Sequence, residues 1–395
     1  MRSKNSWQGV LTADWQNGGF GLYIHWPFCA AKCPYCDFNS HVSKTIVQKQ
    51  WLMAYISELT RAAKETQGRV LNSIFFGGGT PSLMDPELVH GILDRVRTLW
   101  PQSNDLECTL EANPGSVEAG RFRDYARAGV NRISMGVQAM NDTDLRRLGR
   151  IHTVSEAHGA FDIARSVFDR VSFDLIYARQ DQSLEDWRDE LKQALTWAID
   201  HLSLYQLTVE QGTAFGDRYN RGTLRGLPTD DLAADMYDLT QELCDDAGMP
   251  AYEISNHARD GAESRHNLIY WRYGDYIGIG PGAHGRVTLD GQRHATETHL
   301  MPNAWLDAVA QHGSGETLRT VITAADQGTE YILMGMRVVS GISHSRYNAI
   351  TGQWLDRAAL DRLQDMGMIT VMGDRIAATP AGRAVLNTVM AHMLP

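Results

Sequence analysis

The chain is short of cysteine, with five in 395 residues, and an odd number so sparse excludes a disulfide framework. It lacks a basic excess, since 37 Lys and Arg against 47 Asp and Glu leave a formal net charge of −10. Phosphate contacts need a basic face, so nucleic-acid binding is excluded as the main task. No apolar run reaches the roughly 20 residues that span a bilayer. The opening stretch "MRSKNSWQGVLTADWQNGGF" lacks the apolar centre of a secretory signal. Together these absences predict a cytoplasmic protein in a reducing compartment. There is no low-complexity tract and no repeat beyond strand–helix alternation.

The chain has ordinary core material, with 43% hydrophobic residues, and a length that suggests about two domains. A polar arm over 1–20 precedes an apolar strand, "GLYIHW". Helical spacing follows at Ile46, Val47, Trp51, Leu52, Tyr55, Ile56 and Leu59. Strand, loop and helix then repeat about six times, through "SIFFGGGT", "ECTLEANPG", "RISMGVQAM", "RVSFDLIYA" and "HLSLYQLTVE". That alternation predicts an α/β fold with a parallel sheet and helices outside it. The polar and Gly-rich clusters sit just after the strands, where a (β/α) barrel builds its active face. Six units form either an incomplete barrel or a doubly wound sheet, and periodicity does not separate them.

The rhythm changes after the sixth unit. The expected organisation is a barrel over 21–235, an accessory region over 236–320 and a C-terminal module over 321–395. In that module "MITV" and "RIAA" flank Met372-Gly373-Asp374 as a β-hairpin. Helices with one hairpin predict a winged-helix-like domain, with Met366, Met368, Met372, Met390 and Met393 in its core. Cys108, in a strand, and Cys244, on an apolar helix face, are expected to be core thiols.

The other three cysteines, Cys29, Cys33 and Cys36, lie in "FCAAKCPYCDFNS" with the spacing C-x3-C-x2-C. A structural zinc site, completed by His25 or His41, is one reading, although zinc usually clamps two separated Cys/His pairs. The other is a [4Fe–4S] cluster with one iron left open to a small molecule. Phe28, Tyr35 and Phe38 are placed to shield such a cluster from water. The glycine triplet in "FFGGGTPS" is by itself a tight turn, but glycines also let a backbone approach a ligand closely.

These motifs resemble the radical S-adenosylmethionine (SAM) superfamily, and in particular its HemN/HemW family, the coproporphyrinogen dehydrogenase-like group. The resemblance runs from about Gly21 to the C-terminus through "YIHWPFC", "FGGGTPS", "LEANPG", "SMGVQ", "DLIYA", "SLYQLTVE", "YEISN" and "GIGPGAHG" in order. It implies a partial (β/α)6 barrel carrying a [4Fe–4S] cluster on Cys29, Cys33 and Cys36. It implies SAM on the open iron, reductively cleaved to methionine and a 5′-deoxyadenosyl radical. Tyr23, Tyr35, Gly78, Gly79, Thr80, Glu111, Gln138, Arg150 and Asp174 match SAM-site positions. For Arg150 and Asp174 a salt bridge on the active face is the other reading.

Two departures speak against porphyrinogen decarboxylation. Phe38 stands where the oxidase branch has a further cysteine, and the N-terminal arm is short. "HNLIYW" instead looks like the HNxxYW motif of the HemW heme chaperones. That resemblance implies heme binding at His266, Asn267, Tyr270 and Trp271, with His266 either an axial ligand or a packed histidine. The implied partners are heme, acceptor haemoproteins that can be respiratory and membrane-associated, and an electron donor for the cluster. Whether the chain catalyses a reaction stays open at this point. His284, in "GPGAHG", is expected on a flexible glycine loop close to a ligand.

Overall fold

A computed structural model describes residues 14–43, 45–114 and 119–394. Most of the expected arm therefore lies outside the described residues. Its last part is anchored. Asp14–Asn17 forms a 3-10 turn, with Asp14 paired to Arg346 at 2.8 Å and Trp15 packed edge-on against Phe20.

Six parallel strands follow, β1 (Phe20–Trp26), β2 (Leu71–Gly78), β3 (Gln102–Ala112), β4 (Arg132–Gln138), β5 (Arg170–Tyr177) and β6 (His201–Gln206). Helices α1 (Gln48–Glu65), α2 (Pro86–Leu99), α3 (Ala119–Ala128), α4 (Asp142–Arg147), α5 (Val154–Arg165) and α6 (Leu184–Trp197) fill the connections. Each strand pairs with its neighbour in sequence order. A doubly wound sheet must reverse that order at a switch point. This sheet does not, so the fold is a partial (β/α)6 barrel.

Both ends of the sheet are extended. Strand β7 (Asn256–Ala258) runs antiparallel beside β6, and β8 (Asp275–Ile279) lies parallel to β1. Beyond β8 come antiparallel β9 (His284–Leu289), β10 (Gln292–Thr298) and β11 (Glu316–Val321). Strands β7 and β11 are the two outer strands and do not pair, so the sheet stays open.

Alternation along β1 explains its composition. Phe20, Leu22, Ile24 and Trp26 are fully buried. Trp26 meets Trp51 of α1 at 5.7 Å, and Trp51 stacks on Trp305 at 5.5 Å. The intervening Tyr23 and His25 line a cavity inside the barrel. Helix formation at α1 starts at Gln48, so Ile46 and Val47 precede it.

The C-terminal module places helices Ala324–Gly335, His344–Thr351 and Arg357–Asp365 against a small antiparallel sheet, giving the winged-helix-like arrangement. Strands Ile369–Met372 and Arg375–Ala378 pair with Met372 opposite Arg375, leaving a two-residue turn with Gly373 at φ +60°. Met390 and Met393 are core residues, but Met366 and Met372 are exposed at 57% and 70%. Met366 caps a helix end and Met372 sits at the hairpin tip, and neither position can reach the core. Cys108 and Cys244 are buried core thiols. Among the described residues no helix is long and apolar enough to cross a membrane.

Candidate functional site

The cysteine loop leaves the C-terminal end of β1. A two-residue parallel ladder, Phe28–Cys29 with His41–Val42, closes its base. Cys29, Cys33 and Cys36 are free and half-buried. Arg150 reaches across the barrel mouth, its Nη1 3.4 Å from Cys33 Sγ and its Nη2 donating to Gly136 O at 2.8 Å. Its Nε is buried without a partner. Thr80 Oγ1 lies 3.5 Å from Cys29 Sγ. Burial pushes the Cys29 and Cys36 thiols up, and hydrogen bonds from Thr80 and from the Phe38 backbone oppose it.

Zinc fits this loop poorly. Among the described residues no three His, Cys, Asp or Glu side chains converge where one ion could sit. His25 is committed to Tyr23 Oη and Asn39 O, each at 2.9 Å, and His41 lies 3.2 Å from Asn39 Oδ1. A cubane instead takes each thiolate on a different iron and needs no single point of convergence. Three free thiols beside a cation with an orphaned N–H fit that anionic group. Of the expected shielding aromatics, Phe28 is buried and Tyr35 half-buried, but Phe38 is 56% exposed because it stands at the junction of two cavities.

The glycine triplet is explained by crowding. Gly79 N donates to Trp26 O at 2.7 Å and Thr80 N to Phe28 O at 2.8 Å, drawing this loop onto the cysteine loop. A Cβ on Gly79 would lie 2.6 Å from Phe28 O, and one on Gly78, at φ +112°, 2.6 Å from the His25 ring. Gly79→Ala is therefore expected to displace the Cys29 backbone and cost about 1–3 kcal/mol, as overpacking does. Thermal unfolding with iron content on the same samples checks it. An unchanged melting point with full iron would remove this account of the motif.

A cavity of about 1090 Å³ collects Cys29, Cys33, Cys36, Tyr35, Gly78, Gly79, Thr80, Glu111, Gln138, Arg150 and Asp174. Glu111 accepts from Gly78 N at 3.1 Å. Burial, reinforced by Asp174, pushes its carboxyl up to about 8. Burial likewise pushes Asp174 up to about 6, against hydrogen bonds and nearby arginines. Gln138 holds φ +75° where the β4–β5 register shifts, a strained backbone at the cavity wall. Among the described residues Arg150 and Asp174 form no salt bridge; the Arg150 guanidinium faces Cys33 and Gly136 instead.

Tyr23 pairs in register with Phe75, three residues below Gly78, and lines the adjoining second cavity together with Gly78 and Glu111. Arg337 and Arg383 line the first cavity from the C-terminal module. No motif marks them, because only chain folding brings positions so far along the sequence to the barrel mouth.

A second cavity of about 530 Å³ adjoins the first and shares Phe38, Gly78, Glu111, Ser134, Asp174 and Tyr205 with it. The "HNLIYW" residues occupy a short helix, Arg265–Trp271, on its wall. Tyr270 and Tyr276 meet at 4.5 Å, nearly perpendicular. Asn267 and Trp271 are half-buried and also line the cavity. His266 is buried, with Nδ1 2.7 Å from Ser73 Oγ, Nε2 2.7 Å from Tyr270 Oη, and its ring stacked on Phe75 at 4.9 Å. Burial pushes its pKa down to about 3. Both ring nitrogens are therefore in use, which matches the packed-histidine reading.

The glycine loop before His284 is held rather than flexible. Thr298 Oγ1 donates to Gly280 O at 2.6 Å and accepts from Ala283 N at 2.9 Å, while Asn39 Nδ2 donates to Pro281 O at 3.0 Å.

Residues 23–194 match the family model of the radical SAM superfamily, and residues 322–385 that of the HemN C-terminal domain. The heme chaperone HemW of Escherichia coli (strain K12) is 41% identical over 374 residues, covering 93% of this chain and 96% of that protein. HemW of Bacillus subtilis (strain 168) is 33% identical, covering 94% and 98%. The mitochondrial radical S-adenosyl methionine domain-containing protein 1 of Mus musculus is 36% identical, covering 95% and 87%. Among solved structures, coproporphyrinogen III oxidase (HemN) from Escherichia coli superposes with a TM-score of 0.81 over 99% of this chain and 93% of that one. At 20% identity that likeness shows the fold alone. With its cysteine triad, ordered parallel barrel and near-full-length relatives, the chain belongs to the HemN/HemW family of the radical SAM superfamily, on the side of the HemW heme chaperones.

Proposed function

We propose that this protein is a heme chaperone that holds a [4Fe–4S] cluster, SAM and heme, and passes heme to acceptor haemoproteins, respiratory ones among them. The observation that carries the reading is the aromatic second cavity, opening directly beside the cysteine cavity and walled by the "HNLIYW" helix. Relatives named HemW support it along almost the whole chain.

Cys29, Cys33 and Cys36 would hold the cluster, which when reduced supplies the electron that splits the SAM sulfonium. Gly78, Gly79 and Thr80 offer backbone and hydroxyl groups to SAM, and Glu111 a carboxylate for ribose hydroxyls. Arg150 sets positive charge 3.4 Å from the Cys33 sulfur, beside the site of the anionic cluster. Arg337, over the Trp271 ring at 5.9 Å, stands where the C-terminal module meets both cavities. The proposed partners are heme, its acceptors and an electron donor.

The competing reading is an oxygen-independent coproporphyrinogen III oxidase, favoured by the fold shared with HemN. Phe38, where that branch carries a further cysteine, opposes it. Anaerobically reconstituted protein mixed with coproporphyrinogen III, SAM and reductant is expected to form no protoporphyrinogen. The same protein mixed with heme is expected to form a stable complex and release heme to an apo-haemoprotein. Protoporphyrinogen formation without heme transfer would reverse the choice.

A further inference from the structure

We infer that the iron of bound heme is ligated by His284, at the mouth of the second cavity, and that His266 shapes the wall without touching the iron. This rests on the reading of the chain as a heme carrier and adds the ligand.

An axial histidine must present a ring nitrogen with a free lone pair and room for a macrocycle in front of it. Four histidines line the cavity, His25, His201, His266 and His284. His25 and His266 have both nitrogens hydrogen-bonded. His201 uses Nε2 on Tyr252 Oη at 3.0 Å. Its Nδ1 has no partner but is enclosed, with the residue 1% exposed, so no porphyrin can lie across it.

His284 differs on every count. Its side chain is 58% exposed, no hydrogen bond to its ring is found among the described residues, and Glu297 Oε1 lies 4.0 Å from Nδ1. His284 and Glu297 are direct cross-strand partners in the β9–β10 ladder. Glu297 stands 4.0 Å from Nδ1, too far for a hydrogen bond in the ligand-free protein but close enough to take one once the other nitrogen binds metal.

The position is also pre-organised. His284 is the first residue of β9, and Thr298 and Asn39 pin the turn before it. Tyr270, Trp271, Tyr276 and Phe38 supply aromatic surface to a flat ligand in the same cavity. Asn39, two residues after Asp37 on the cysteine loop, links the His284 turn directly to that loop.

The test is titration of the full-length, anaerobically reconstituted protein with ferric protoporphyrin IX and, separately, with metal-free protoporphyrin IX. Visible spectra of the ferric and ferrous–CO forms report the iron ligand. Loss of an outer-shell partner alone costs metal affinity about 10- to 100-fold, so His284→Ala is expected to weaken hemin binding at least that much. It should also abolish the histidine-ligated spectrum, which added imidazole restores. Metal-free porphyrin should bind the variant as it binds the parent, and His266→Gln should keep the histidine-ligated spectrum. An unaltered hemin spectrum in His284→Ala overturns the assignment, as does equal loss of the metal-free porphyrin. A parent protein that binds no hemin overturns the heme-carrier reading itself.

Discussion

Cys33→Ala is expected to leave the purified protein nearly free of iron, while Cys108→Ala retains the full complement of about four irons per chain. Both remove one thiol, but the surroundings differ. Cys33 is half-buried at the cavity mouth with the Arg150 guanidinium 3.4 Å from its sulfur. Cys108 is 1% exposed within β3, where burial pushes its thiol far above the usual range and keeps it protonated. A cubane held by three thiolates has no fourth cysteine on this loop to replace the one removed, and His25 is committed to Tyr23 and Asn39. Iron and sulfide assay with the ultraviolet–visible spectrum of anaerobic samples decides it. Full iron in Cys33→Ala, or zinc in place of iron in the parent, would overturn the cluster assignment.

Raising the pH from about 6.5 to 8 is expected to destabilise the ligand-free protein while strengthening SAM binding, whereas below about 6.5 the buried His25, His152, His257 and His266, whose pKa values burial pushes down to about 3 to 4, act in the opposite direction. The source of that destabilisation is Glu111, whose carboxyl is raised by burial and by Asp174 from its ordinary 4.5 to about 8. Below about 4.5 the carboxyl is protonated in folded and unfolded chains alike, and its contribution to stability is fully present. As pH rises, the unfolded chain ionises first, and that contribution is lost through the window up to about 8. Asp174, raised to about 6, adds a smaller decline of the same sign.

Each pKa unit corresponds to about 1.4 kcal/mol, which sets an upper limit of a few kcal/mol for Glu111. Water in the open cavity lowers it, since Glu111 is only half-buried. SAM binding has the opposite sign because ionised Glu111 is the better acceptor for ribose hydroxyls. Glu111→Gln should lessen the decline in stability between about 6.5 and 8 and weaken SAM binding most at high pH. Denaturant melts at several pH values, paired with SAM titrations, check both halves. A variant that keeps the parent's pH slope would remove Glu111 as its source.

Local pattern carried much of this molecule. The C-x3-C-x2-C spacing, the glycine triplet after a strand and the six-fold alternation each depend on residues close in sequence, where chemistry and backbone geometry leave a readable mark. Helix boundaries followed the apolar period to within a turn, as at α1, where Ile46 and Val47 fall just outside. The C-terminal hairpin was visible because Gly373-Asp374 interrupts two short strands. Methionine was less readable. Met366 and Met372 share composition with Met390 and Met393, but only the latter pair faces the core.

Residue order alone determined that the chain alternates strand and helix, carries three clustered thiols and lacks a fourth nearby, because those properties are local. Tertiary structure decided the rest. Sequential parallel pairing made the sheet an open barrel, depth in that barrel put Tyr23 with Gly78 and Glu111 in the second cavity, and packing against Ser73 and Tyr270 occupied both nitrogens of His266. Contacts between positions hundreds of residues apart, such as Asn39 with Pro281, leave no periodic or compositional trace in either partner. Folding alone brings them together, so which histidine stands free at the cavity mouth is a property of the assembled barrel.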